Sequence, residues 1–81
     1  MAKLRILSSA GDSIVEWDAA RVQQGDPDAL AAVREAERIF AEQRARGATA
    51  FVVAPDAPAR RLDQFDPAAE HVVLVPRVAG G

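Results

Sequence analysis

No cysteine occurs among the 81 residues. Disulfides, thiolate metal centres and cysteine nucleophiles are therefore excluded together. A single histidine, His71, is present, so a site built from several imidazoles is excluded as well. Tyrosine is absent and aromatic residues make up 5% of the chain, too few to furnish a stacking platform for bases. Positive charge is also short: Lys and Arg number 10 against 12 Asp and Glu, for a net charge of −2. Nucleic-acid binding draws on a basic surface that neutralises phosphates, so no nucleic-acid partner is expected. No apolar run approaches the roughly 18 residues of a membrane span, and no membrane partner is expected. Met1-Ala2-Lys3-Leu4-Arg5 opens into an alternating run rather than a signal-peptide core, which makes the cytoplasm the expected location.

What remains is an ordinary globular balance, 49% hydrophobic and 27% charged, in a chain long enough for one domain. A core of that size leaves no volume for a deep substrate cavity. No nucleophile and base converge in the sequence either, so the chain is not expected to be an enzyme or to hold a cofactor of its own.

Lys3-Leu4-Arg5-Ile6-Leu7 alternates polar and apolar residues, as a half-buried strand does. Ser8 to Asp12 is turn chemistry, and Ser13-Ile14-Val15-Glu16-Trp17 predicts a second strand and hence an antiparallel hairpin. Residues 18–25 carry no clear period. Asp26-Pro27 is a helix start, with Asp26 capping and Pro27 in the first turn. The helix is predicted to run to about Arg46, with Gly47 suited to a left-handed C-terminal cap. Leu30, Val33, Ala36 and Phe40 form its apolar stripe, widened by Ala29, Ala32 and Ile39, and Glu42–Arg46 is an i, i+4 ion pair. Thr49–Ala54 predicts a third strand, stopped by Pro55-Asp56-Ala57-Pro58. Arg60–Phe65 reads as a short polar edge strand, and Asp66-Pro67-Ala68-Ala69-Glu70 as one helical turn. His71-Val72-Val73-Leu74-Val75 is the most strand-like run, ended by Pro76. One helix covers one face of such a sheet, which leaves the other face to solvent or to a partner.

This order, closing on Gly80-Gly81, resembles the ubiquitin-like β-grasp family. The stretch Phe65-Asp66-Pro67-Ala68-Ala69-Glu70-His71-Val72-Val73-Leu74-Val75-Pro76-Arg77-Val78-Ala79-Gly80-Gly81 carries most of the likeness. It is similar to the end of the small subunit of molybdopterin synthase and of the thiamine-pathway sulfur carrier, in a final strand followed by a short glycine-ended tail. The resemblance implies an α+β fold: a mixed four- or five-stranded sheet on one long helix, ββαββ in sequence, with a helical turn before the last strand. The first and last strands would run parallel in the sheet centre. Residues 1–76 would form the domain and 77–81 a flexible tail. The helix is longer than ubiquitin's. No lysine follows Lys3, so polymer building through internal lysines would be confined to Lys3 or the N-terminus.

The resemblance further implies that a partner activating enzyme, using ATP, adenylates the carboxylate of Gly81. The adenylate would then be thiocarboxylated or conjugated to a target. Physical chemistry suits these residues to that task. An α-carboxylate, with a pKa of roughly 3.5, is ionised at neutral pH. Gly80 and Gly81 lack Cβ and fit a narrow channel. Pro76, Arg77, Val78 and Ala79 would be the recognised tail, with Pro76 stiffening its base and Arg77 pairing with an acidic groove. The expected partners are an activating enzyme of the ubiquitin-activating type and a deconjugating protease or sulfurtransferase, the chain itself being a monomer. The rival reading is an adaptor module that binds through its open sheet face, for which Val15, Trp17, Phe51 and Val73 are the candidate residues. Trp17 fits either that face or the core. His71 reads as a surface histidine on a strand and Arg60-Arg61 as edge-strand protection. Asp66, in the trio Asp63, Asp66 and Glu70, reads as a cap rather than an acid.

Overall fold

The computed structural model describes residues 1–8 and 11–77. Seven elements follow one another: β1 (Ala2–Ile6), β2 (Ser13–Trp17), α1 (Ala19–Gln23), α2 (Pro27–Ala45), β3 (Thr49–Ala54), β4 (Ala57–Arg61) and β5 (His71–Val75). The five strands form one mixed sheet in the order β2-β1-β5-β3-β4. β1 and β5 are parallel neighbours at its centre, and the other three pairings are antiparallel. The fold is α+β, with one main helix.

The chain order ββααβββ corrects the expected ββαββ. A second helix, α1, precedes the main one, and the short strand between β3 and β5 is a full member of the sheet, Ala57–Arg61, paired to β3 alone. That strand lies earlier than the expected Arg60–Phe65. Pro58, expected in the stop after β3, lies inside β4, the sheet's outer strand, where a missing ladder N–H is tolerated. The expected helical turn at 66–70 is a β-turn: the Ala69 N–H donates to the Asp66 carbonyl at 3.1 Å, and the Asp66 side chain accepts from the Ala68 N–H at 3.0 Å. Pro67 supplies the fixed φ that this turn needs at its second position.

Helix α1 occupies the segment without a clear period. Asp18 caps it, accepting from the Ala20 and Arg21 N–H groups. Helix α2 starts as expected, with Asp26 accepting from the Asp28 N–H and Pro27 in the first turn. Its far end is a Schellman motif. The Gly47 N–H donates to the Arg44 carbonyl and the Ala48 N–H to the Gln43 carbonyl, both at 3.0 Å. Gly47 takes φ +95°, the left-handed conformation this motif requires.

The core lies between α2 and one face of the sheet. Val33, Ala36 and Phe40 of the helix meet Leu4, Trp17, Ala50, Val72 and Leu74 of the strands. Leu30, expected in the stripe, is only partly buried, while Ala29 is fully so. Ala36 and Ala50 are both at 0% exposure, and their small side chains let helix and sheet approach closely. No helix in the structure is long and apolar enough to cross a membrane among the described residues.

Candidate functional site

The open face of the sheet is set by alternation. In β1 and β5, Leu4, Val72 and Leu74 point into the core, so Lys3, Arg5, His71, Val73 and Val75 point the other way. Register then aligns one continuous row across all five strands: Ile14, Arg5, Val73, Phe51 and Arg61. Phe51 and Val73 are direct cross-strand partners, half-buried, and flanked on both sides by an arginine. Ile14, at the outer end of the row, is 52% exposed.

Trp17 and Val15 do not belong to this face, which corrects their expected grouping with Phe51 and Val73. Val15 is aligned with Leu4 and Trp17 with Ala2, so both point toward the helix. Trp17 is 1% exposed. Its ring lies 5.7 Å from that of Phe65, which lies 5.7 Å from that of Phe40, and its indole N–H donates to the Pro67 carbonyl at 3.0 Å. A buried tryptophan needs such an acceptor for its one polar atom, and the turn at 66–69 provides it.

Charge on the open face is partly paired. Arg5 is bound to Asp12, its Nε donating at 3.0 Å, and Arg61 stands 3.6 Å from Asp63. Lys3 is aligned with Glu16 on one side and His71 on the other. The Nε2 atom of His71 is buried without a hydrogen-bond partner. Burial first, then the charges of Lys3 and Arg5, holds the imidazole below the usual histidine range, because both penalise the cationic form. His71 borders a shallow groove with Met1, Lys3, Val53, Pro55 and Glu70. No hydroxyl- or thiol-bearing residue lines this groove.

The acidic trio is dispersed in role. Asp66 caps its turn, and Asp63 lies near Arg61 and Arg44. Among the described residues no group of three or more His, Asp or Glu side chains could hold a metal ion. Arg60 and Arg61 sit on the outer strand β4, every residue of which is exposed. On the outer face of α2, Arg38 bridges Glu35 at 2.6 Å and Glu42 at 2.9 Å. The expected Glu42–Arg46 pair stands at 3.6 Å. The Arg38 hydrogen bond holds the Glu35 carboxyl below its usual range.

At the other end of the molecule, Pro76 and Arg77 follow β5 and are exposed. Arg77 lies against Gly47 of the α2–β3 turn, a contact that nothing in their local sequence announces across 30 positions of separation (47 to 77). Val78, Ala79, Gly80 and Gly81 lie outside the described residues.

No family model matches the chain, and neither a curated protein nor a solved structure matches it.

Proposed function

We propose that this chain is a ubiquitin-like carrier or modifier of the β-grasp type, whose Gly81 carboxylate is activated by a partner enzyme. The observation that carries the reading is the parallel pairing of β1 with β5 at the centre of the sheet. The last strand is thereby held in the middle of the sheet, and in sequence Pro76, Arg77, Val78, Ala79 and the glycine pair follow it. A segment leaving a rigid central strand can be presented to another protein without loosening the core. In the reaction, a carboxylate oxygen of Gly81 attacks the α-phosphorus of ATP and pyrophosphate leaves, giving an acyl-adenylate. Hydrosulfide, or a target amine, then attacks the acyl carbon and AMP leaves, giving a thiocarboxylate or an amide. The activating enzyme supplies the metal and the electrostatic stabilisation. Arg77, exposed at the end of the domain, would pair its guanidinium with carboxylates of that enzyme.

The test is incubation of the protein, ending in Gly81 as encoded or after processing, with ATP and enzymes of the ubiquitin-activating type. Intact mass is then recorded. The expected products are the adenylate, the species with one oxygen exchanged for sulfur, or a conjugate through Gly81. Failure with enzymes of both the sulfur-transfer and the conjugation branch overturns the reading.

A second reading, an adaptor that binds through its open face, is favoured by the row Arg5–Val73–Phe51–Arg61. Its apolar pair between two cations suits an apolar side chain with acidic neighbours. Under that reading Phe51→Ser abolishes partner binding, whereas removal of Gly80 and Gly81 leaves it intact. Under the carrier reading removal of the two glycines abolishes the modification.

A further inference from the structure

Gly47 has two separate reasons to be glycine. The first is its φ of +95° at the end of α2, which the helix cap explains and which asparagine also tolerates. The second is the space beside it. A Cβ at position 47 would stand 3.0 Å from Cδ of Arg77, 3.5 Å from its Cβ and 3.8 Å from its Cγ. The aliphatic stem of Arg77 thus packs so closely on Gly47 that a Cβ there would meet Cβ and Cγ at ordinary contact distance and would press Cδ back by a few tenths of an ångström. Long cationic side chains commonly lay their methylenes on such surfaces while the charged head stays in water. The C-terminal end of α2 adds a favourable field for a cation there.

We propose that Gly47 is a positioning residue for the C-terminal segment. Its missing Cβ is the seat of the Arg77 stem, and that contact fixes the place on the α2–β3 turn from which the glycine-ended segment starts. The functional consequence rests on the carrier reading, while the contact does not. An enzyme that grips the tail of a seated Arg77 orders fewer free rotors than one that grips an unseated tail. The seat therefore lowers KM for activation and leaves kcat unchanged, as uniform binding does.

The two reasons separate experimentally. Gly47→Asn keeps a residue that accepts the left-handed conformation but adds a Cβ. On the 15N-labelled full chain, the wild type is expected to show nuclear Overhauser contacts from Gly47 Hα to the Arg77 Hγ and Hδ protons. It should also show an Arg77 amide as rigid as that of Val75. In Gly47→Asn the Arg77 amide loses that rigidity while the α2 and β3 resonances stay in place. KM for adenylation rises about three- to tenfold at constant kcat. Arg77→Ala raises KM as well, and adding Gly47→Asn to it changes nothing more. If Gly47→Asn does not fold, the wild-type contacts and Arg77→Lys, which keeps the stem and should keep the rigidity, decide the matter. Absence of the wild-type contacts, or an Arg77 amide already mobile in the folded protein, overturns the seat. Contacts present with no adenylation of the wild type uphold the seat and overturn the carrier reading. Adenylation with an unchanged KM in Gly47→Asn overturns the positioning role.

Discussion

The indole N–H of Trp17 donates to the Pro67 carbonyl at 3.0 Å, tying the end of β2 to the turn that leads into β5. The bond links residues 50 positions apart and satisfies the polar atom of a side chain that is 1% exposed. Replacing Trp17 by Phe keeps most of the ring packing against Phe65 and leaves the Pro67 carbonyl without this donor. The expected loss is about 1–2 kcal/mol. Trp17→Ala, which also opens a cavity, is expected to cost about 3–5 kcal/mol. Urea unfolding followed by circular dichroism measures both, since the variants lack the one tryptophan and its fluorescence. A Phe variant as stable as the wild type would mean that the hydrogen bond contributes nothing.

Val72 and Val73 are sequence neighbours on opposite faces of β5. Val72 is at 0% exposure against the helix, whereas Val73 is paired with Phe51 on the open side. The same substitution should therefore give unequal results. Val72→Thr buries a hydroxyl in the core and is expected to cost about 1–3 kcal/mol. Val73→Thr keeps the β-branched shape where water has access, with an expected cost below about 1 kcal/mol. Equal midpoints in urea for the two variants would contradict the assignment of faces.

Asp26 accepts from the Asp28 N–H at 3.2 Å at the start of the helix that covers the core. Asp26→Ala removes one cap acceptor from exposed backbone donors and is expected to destabilise the domain by about 1 kcal/mol, with Asp26→Ser recovering most of the loss. The comparison of Ala against Ser by thermal unfolding separates the cap from the side chain's distant ion pair with Arg21, which stands at 3.7 Å.

Much of this fold was legible where local signals were strong. β2, β3 and β5 are β-branched runs closed by breakers, and the observed Ser13–Trp17, Thr49–Ala54 and His71–Val75 match the expected spans. Asp26-Pro27 and Gly47 marked both ends of α2 for reasons confined to a single turn. β4 was misplaced because a proline inside a strand is permitted only at a sheet edge, and edge position is a property of the whole sheet. α1, five residues long, is too short to show a helical period, although Asp18 before Ala19-Ala20 was a cap signal. Which way Trp17 points depends on its register against β1. The row Arg5–Val73–Phe51–Arg61 and the contact of Gly47 with Arg77 join residues from distant parts of the chain, so no local pattern encodes them.

His71 gives the domain a pH dependence whose sign follows from its surroundings. It is aligned with Lys3 on β1, and Arg5 of the same strand also acts on it. Glu70 precedes it and borders the same groove. Burial, then the charges of Lys3 and Arg5, lower the folded-state pKa. In the unfolded chain the imidazole titrates near its ordinary value of about 6.5. Between the folded and unfolded pKa values the unfolded state binds more protons, so stability rises with pH there. The domain is therefore expected to hold its full stability above about pH 6.5 and to lose part of it as pH falls toward the folded pKa. Below that value the histidine contributes no further slope. Urea midpoints across the range, compared with those of His71→Gln, isolate this effect from the carboxylates that titrate at lower pH. In the wild type, the imidazole Cε1 proton followed by NMR should show a midpoint below the ordinary histidine value. A His71→Gln variant with the same slope as the wild type between pH 7 and pH 5.5, roughly the range in which histidine titrates, would show that some other group carries the dependence.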